Sequence, residues 1–532
     1  MPVTGATSNR RRGAAYHPAP FGHPDGSSGN LQEVQDHFVD FSASGTAGGL
    51  ASRLDDRTVR VIVGKKGVGK TIYLRRYQAS ASDESSLFAA DRESSPPATE
   101  DVVRVSQLFS ANTVTETWTL IWRRAIQRSV VSQLLCRPQL RNGIEPAVLD
   151  HLREDFTSLI PACRTPRFVY TEVTDIVASA HTAHKLDEYL KDRLWSELDY
   201  WLAQAMRDAP PIYLFIDAVD EHFQRAPMYW LKCQKGLLLQ VMSMVQGELG
   251  SRLHVVVGIR DLVLSSVLRG EQASRFRSSP HIRVLEWDHA SIRYFLHEKI
   301  QRLDRRLLMR QSKTDIEGWL GVRRIGNLAR GVDEDVEDYL LRHTRLIPRD
   351  VVVLGNALCQ QTALAAGREP ALNDDVLRRV VGQVARGIAD EQLRVCANQM
   401  AADLIPPLGG RHGLTDYFIG SHEYSDGQGL KFVELLAEIG RDRFDATTVA
   451  HLARRGREEF GYDHLLDVLW HNGILGYDSA EPGAEHAHFY ASNETDDFHL
   501  PADKSSYVLH PCIPHLIRMR HIGPPVRGFR TR

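Results

Sequence analysis

A chain of 532 residues with 65 Lys and Arg against 67 Asp and Glu carries a net charge of −2, which excludes a global attraction for nucleic acid or for an anionic membrane. Its length fits two to four domains, and 42% hydrophobic residues are enough to bury large cores. No run approaches the roughly 20 apolar residues that span a bilayer. The six cysteines (Cys136, Cys163, Cys233, Cys359, Cys396, Cys512) form no C-x-x-C pair and read as reduced, so a cytoplasmic protein with no membrane partner is expected.

Residues 1–35 include RRRGAAYHPAPFGHPDGSSGN, lack the apolar stretch of a signal peptide, and read as a disordered arm. VRVIVGKKGVGKT follows, from Val59 to Thr71. Val59, Val61 and Val63 give a buried strand, and TIYLRRYQA is helix-forming sequence. Between them Gly64, Lys65, Lys66, Gly67, Val68, Gly69, Lys70 and Thr71 fit G-x-x-x-x-G-K-[ST] in its strand–turn–helix setting. Glycines there bring backbone N–H groups close to a phosphate, and the helix start adds its positive dipole end. Lys70 would reach the β- and γ-phosphates and Thr71 would offer a hydroxyl to Mg²⁺. Arginine far outnumbers lysine in this chain, yet three lysines cluster at this turn.

The segment SASDESSLFAADRESSPPATED (80–101) reads as a polar insertion before the strand-like VVRVSQLF, and residues 113–135 and 184–206 have helical periodicity. PPIYLFIDAVDEHF (210–223) is a strand buried on both faces that ends in Asp217, a carboxylate placed to hold Mg²⁺. Asp220 and Glu221 sit on its exit turn; Glu221 is favoured to polarise an attacking water, with Asp220 close behind. LHVVVGIRD (253–261) is a further buried strand that presents Arg260 at the same rim, where a guanidinium would stabilise the γ-phosphate. Arg275, in SRF, is read equally well as a contact to a neighbouring subunit's nucleotide or as a surface ion-pair former. In RLIPRDVVVLGNAL, Pro348 suits a first helical turn, which leaves Arg349 at a helix N-terminus, where a cation is disfavoured unless an anion lies nearby, and it is read as a nucleotide contact from a lid domain.

Taken in order, GKKGVGKT, IYLFIDAVDE, VVVGIRD, SRF and IPRD resemble the Walker A, Walker B, sensor 1, arginine-finger and sensor 2 regions of AAA+ and STAND-class P-loop ATPases. The D-x-x-D-E form of the second motif is closer to STAND signalling ATPases. The run from SRF to HIRVLEWDHASIRYFLHEKIQRL resembles origin-recognition initiator ATPases instead. The best overall match is a bacterial family of STAND-like P-loop ATPases, over roughly residues 36 to 400. The resemblance implies an α/β P-loop NTPase of the ASCE type with a parallel sheet, a helical lid, ATP and Mg²⁺ as ligands, and oligomerisation of like subunits on activation. It also implies a switch in bacterial signalling or defence.

The stretch 406–429 is rich in glycine and polar residues and reads as a boundary. Beyond it, KFVELLAEIG, ATTVAHLARRGREEF and DHLLDVLWHNGILGYD give three short helices, and HFYAS and SYVLHP give strands around a polar hairpin. The order resembles a winged helix-turn-helix. Its third helix offers Asp463, His464, Asp467, His471 and Asn472, a poor set for DNA. A protein-contacting or autoinhibitory module is therefore preferred, with a DNA-binding, initiator-like ATPase as the alternative. His510, Cys512 and His515 lack a fourth ligand at metal-site spacing and read as packing groups. The expected division is an arm at 1–35, a P-loop core at 36–285, a helical lid at 286–405 and a winged-helix-like domain at 410–532.

Overall fold

A computed structural model of the chain describes residues 19–26, 38–39, 58–82, 88–89, 97–109, 113–162, 164–179, 182–217, 227–268, 273–310, 315–365, 371–404, 431–478, 486–490, 499–517, 519 and 528–530. Five parallel strands organise its first half: β1 Val61–Val63, β2 Phe88–Ala89, β3 Ile212–Ile216, β4 Leu253–Ile259 and β5 Ile282–Val284. They lie in the order β2-β3-β4-β1-β5, so β4 separates β1 from β3. Every residue of β1, β3 and β4 is buried, as strands without polar alternation require when helices cover both faces of a sheet. The fold is α/β with a parallel sheet.

The material between β2 and β3 is helical among the described residues, and its centre is Val114–Cys136, packed along Pro227–Gln246. Trp122 Nε1 donates to the Cys233 carbonyl across that contact, at 2.9 Å. Two expectations fail here. VVRVSQLF is not a strand but lies in the helix Thr99–Leu108, with Phe109 as its cap. Glu100 and Asp101 complement the dipole in its first turn, and Val102, Val103 and Ser106 share a buried face, Ser106 accepting from Trp118 Nε1 at 2.9 Å. A local run of valines thus yields to helical packing. The edge strand β2 comes instead from inside the segment read as a polar insertion.

The next unit is mostly helical: His289–Gln301, Ile316–Leu320, Val336–Arg342, Pro348–Ala365 and Asp374–Leu404, interrupted by an antiparallel hairpin of β6 Arg324–Asn327 and β7 Val332–Asp335. The N-terminal stretch expected to be disordered is packed over residues 19–26. Phe21 is fully buried 5.1 Å from the Trp319 ring. Its N–H donates to Asn356 Oδ1 while Asn356 Nδ2 donates to the Gly22 carbonyl, both at 2.9 Å. One buried aromatic and a reciprocal amide pair are enough to anchor so short a segment.

The C-terminal unit has helices at 431–439, Ala446–Phe460 and Leu465–His471. Its sheet contains β8 Arg443–Phe444, β9 Leu475–Asp478, β10 His486–His488, β11 Tyr507–Leu509 and β12 Gly528–Arg530, in the order β12-β10-β9-β11-β8. Of the two expected strands, SYVLHP contains β11, whereas β10 lies earlier than HFYAS and shares only His488 with it, and the two strands do not pair with each other. Both pair antiparallel with β9, which forms from residues read as the exit of the third helix. The helix Asp374–Leu404 serves two cores: Leu377, Val380 and Val381 pack in the preceding unit, and Ala385, Leu393, Cys396 and Met400 in the C-terminal one. The expected boundary at 406–429 lies outside the described residues.

His510 and Cys512 are buried where these two units meet. Cys512 Sγ donates to the His343 carbonyl at 2.9 Å, and the His343 and His515 rings stand 4.8 Å apart. Burial, then the neighbouring cations, push His343 well below the usual histidine range and His510 down to about 3. Both are neutral when folded and titrate near 6.5 when unfolded, so the unfolded chain takes up more protons as pH falls below that value. For His510 this removes about 1.5 kcal/mol of stability between pH 6.5 and 5, and His343 acts in the same direction. Thermal melts should show the midpoint falling over that interval, and falling less in His510→Gln; an unchanged midpoint in the wild type contradicts this assignment.

Candidate functional site

The turn between β1 and the helix Lys70–Ser82 is built from backbone. Gly67 and Gly69 have φ of 89° and 103°, a region that disfavours any side chain. Gly64 N donates to the Ile259 carbonyl at 3.2 Å, tying the turn to the end of β4, and Trp287 Nε1 donates to the Val68 carbonyl at 3.1 Å. Lys70 opens the helix and is 6% exposed. Its ammonium folds back to donate to the carbonyls of Gly64, at 3.0 Å, and Lys65, at 3.1 Å.

Asp217 directly follows β3 and is 1% exposed; the Tyr170 hydroxyl donates to its backbone carbonyl. Gly258, within β4, shows how the two motifs stand to each other. A Cβ built there would lie 3.4 Å from Asp217 Oδ1 and 3.9 Å from Lys70 Cβ. The lysine of the turn and the carboxylate after β3 thus lie on either side of one point in β4, near the C-terminal ends of the parallel strands, where α/β sheets bind ligands. Gly258 was not singled out from sequence, although a glycine inside an aliphatic strand is the signal of a close approach. Thr71 follows Lys70 and neighbours the N-terminal segment, its Cβ lying 3.5 Å from where a Gly26 Cβ would be. The Thr71 hydroxyl and Asp217 carboxylate are hard oxygen donors of the kind Mg²⁺ takes alongside phosphate oxygens and water. Asp220 and Glu221 lie outside the described residues.

Arg260 and Arg349 come to the turn; Arg275 does not. Arg260 is 7% exposed, follows the Ile259 carbonyl that Gly64 engages, and donates its own N–H to Gln234 Oε1 at 3.2 Å. Arg275 is exposed on the short helix Ala273–Arg277 and donates to Gln246 at the end of another core helix. Arg349, second residue of Pro348–Ala365, donates its N–H to the Gly67 carbonyl at 3.3 Å.

The chain before Arg349 is under strain. Leu346 has φ of 51°, a left-handed conformation that costs a leucine about 1–2 kcal/mol. A fork of bonds holds it: Arg345 donates to Asp350 Oδ2 from its backbone N, at 3.0 Å, and from Nε, at 2.8 Å, and to Oδ1 from Nη2, at 2.7 Å. Burial pulls the Arg345 pKa down, but the Asp350 carboxylate more than offsets this and the net shift is upward. Three further partners of the turn gave no sequence signal. Lys65 Nζ donates to the Tyr490 carbonyl at 2.7 Å and lies 5.1 Å from that ring's centre. Glu391 Oε1 accepts from Arg349 Nη1 at 3.3 Å and stands 3.6 Å from Lys66 Nζ. Trp287 is the third.

Gly67→Ala tests this packing. The added Cβ would meet Ile347 Cδ1 at 2.9 Å and Arg349 Cβ at 3.0 Å on a backbone already at positive φ. Denaturant melts should show a larger loss than for Gly331→Ala, where the positive φ alone costs about 1–2 kcal/mol and the added Cβ would meet nothing. Equal losses at the two positions would show that the contact with Arg349 contributes nothing.

No family model and no curated protein matches the sequence. Among solved structures, the chain is similar to the ORC2 protein of Aeropyrum pernix in its ADPNP–ADP complexes. Identity is 13%, the match covers 85% of this chain and 88% of that one, and the TM-score is 0.26, too low for the likeness to carry any argument about fold or function.

Proposed function

We propose that the chain is a Mg²⁺-dependent, ATP-binding and ATP-hydrolysing switch of the STAND/AAA+ class that couples nucleotide state to conformation or oligomerisation. One observation supports the reading: Lys70 and Asp217 flank the same point beside Gly258, as a phosphate-binding lysine and a metal-binding carboxylate of one site would. The placement of β4 between β1 and β3 agrees with the ASCE-type core expected from the motifs.

On this reading the N–H groups of the turn and of the helix start bind the phosphates, aided by the helix dipole. Lys70 exchanges its two carbonyl partners for β- and γ-phosphate oxygens. Thr71 and Asp217 would hold Mg²⁺, which when bound neutralises charge on the phosphates. Glu221, with Asp220 beside it, takes the proton of the attacking water. The water oxygen bonds to the γ-phosphorus as the bond from that phosphorus to the bridging oxygen breaks, leaving ADP and inorganic phosphate. Arg260 stabilises charge gathering on the γ-phosphate, and Arg349 carries the state of that phosphate into the lid. The exposed position of Arg275 suits a role toward a neighbouring subunit.

The C-terminal unit is proposed as a winged-helix-like module that contacts protein. Support comes from its element order: helix 431–439, β8, two helices, then β9 and β11. Among its described basic residues, Arg455 is engaged with Glu438 and Glu459 and Arg454 with Glu458, which leaves these two poorly disposed toward DNA. Gel shifts across a salt series should show only weak, non-specific binding; a tight complex that weakens steeply with salt would favour the DNA reading.

Lys70→Ala should lose roughly 100-fold or more in ATP affinity, with its charge-assisted contacts gone. Glu221→Gln should keep binding and lose about 10²–10⁴-fold in turnover. Hydrolysis at the wild-type rate by both variants would mean that the site is wrongly assigned.

A further inference from the structure

The cation at the N-terminus of Pro348–Ala365 has an anion beside it, and that anion belongs to the protein. Arg349 Nη1 donates to Glu391 Oε1 at 3.3 Å, Lys66 Nζ stands 3.6 Å from the same oxygen, and Arg345 Nη2 is 4.0 Å from Oε2. One carboxylate thus lies among three cations, drawn from the phosphate-binding turn and from the strained segment that docks on it. Glu391 reaches them from the helix Asp374–Leu404, where Leu393 and Cys396, two and five residues on, lie in the C-terminal core. Lys66, Arg349 and Glu391 are each about one-third exposed, so the cluster is open to an incoming solute.

We propose that Glu391 is an internal competitor of the nucleotide's terminal phosphate: it holds Arg349 and Lys66 while the site is without ligand, and a triphosphate must take them from it. This rests on the nucleotide reading of the site and names how that site is regulated. Coulomb attraction fixes the direction of the effect. A γ-phosphate brings more negative charge than one carboxylate and more acceptor oxygens, so it wins the two cations when bound, but at the expense of the Glu391 contacts. A diphosphate offers no terminal group to compete for Arg349 and leaves Glu391 in place. Discrimination between di- and triphosphate, and release of the long helix from the turn, then follow from a single exchange of ion pairs.

The test measures binding of ATPγS and of ADP, each with Mg²⁺, to the full chain, its Glu391→Gln variant and its Glu391→Asp variant. Glu391→Gln keeps the shape and removes the charge, and should bind ATPγS roughly five- to tenfold more tightly, with a change of less than about twofold for ADP. Glu391→Asp, one methylene shorter, should show a smaller gain in the same direction and supplies the reading if the Gln variant does not fold. Binding of ATPγS by the wild type with no gain, or a loss, in the variants overturns the role of Glu391 alone. Equal gains for ADP and ATPγS overturn it too, since they would reflect general charge rather than competition for the terminal phosphate. Failure of all three proteins to bind either nucleotide removes the underlying site assignment instead. Binding of ATPγS by the variants alone supports the proposal in its strongest form.

Discussion

The structure hinges on six residues of backbone that must remain a turn while being held from several sides. Gly64 to Gly69 carry no side chain at the three points where one would strain the turn or strike its neighbours, and the Lys70 ammonium closes back on two of the turn's carbonyls. Three consecutive residues are then tied to three distant parts of the chain: Lys65 to Tyr490, Lys66 to Glu391 and Gly67 to Arg349. Any ligand that reorganises this turn disturbs all three ties together. Few arrangements couple local chemistry to distant elements with so short a lever.

Around that turn, packing and polarity divide the work. The parallel strands bury aliphatic residues on both faces and so fix where their C-terminal ends lie. Polar groups appear where the strands stop: Asp217 after β3 and Arg260 after β4, each less than 10% exposed. Burying charges so close to a core is costly unless opposite charges or hydrogen bonds answer them. Asp217 lies across Gly258 from Lys70, at the strand ends where the proposed site stands. The strained Leu346 bears on the same site. A left-handed leucine persists only because the Arg345–Asp350 fork holds it, and it sets Arg349 onto the turn.

Much of this was legible in the sequence, for identifiable reasons. Unalternating aliphatic runs announced β3 and β4, and the glycine spacing before Lys70 announced the turn, because both patterns report backbone requirements that few other structures share. Arg349 reads as a cation in the wrong place and as a nucleotide contact; the anion beside it in the structure is Glu391, a pairing the sequence does not announce. The failures are equally physical. Valines at 102, 103 and 105 have strand propensity, but tertiary contacts with Trp118 decide for a helix. The packing of Phe21 was invisible because composition speaks for a whole segment and one anchor suffices for part of it. Glu391 and Tyr490 act across 325 and 425 residues of chain, and nothing in local pattern encodes such pairings. Arg275, read evenly as a nucleotide contact or a surface residue, sits at the surface of this chain.

The central claim is that a nucleotide's phosphates lie between the turn and the end of β3, and a crystal structure of the chain grown with Mg²⁺ and ATPγS tests it most directly. The account predicts phosphate density ringed by the N–H groups from Gly67 to Thr71, Lys70 Nζ moved from its carbonyl partners to a phosphate oxygen, and a metal peak between the Thr71 hydroxyl and Asp217. Nucleotide bound elsewhere, with the Lys70 ammonium still on the Gly64 and Lys65 carbonyls, would contradict it.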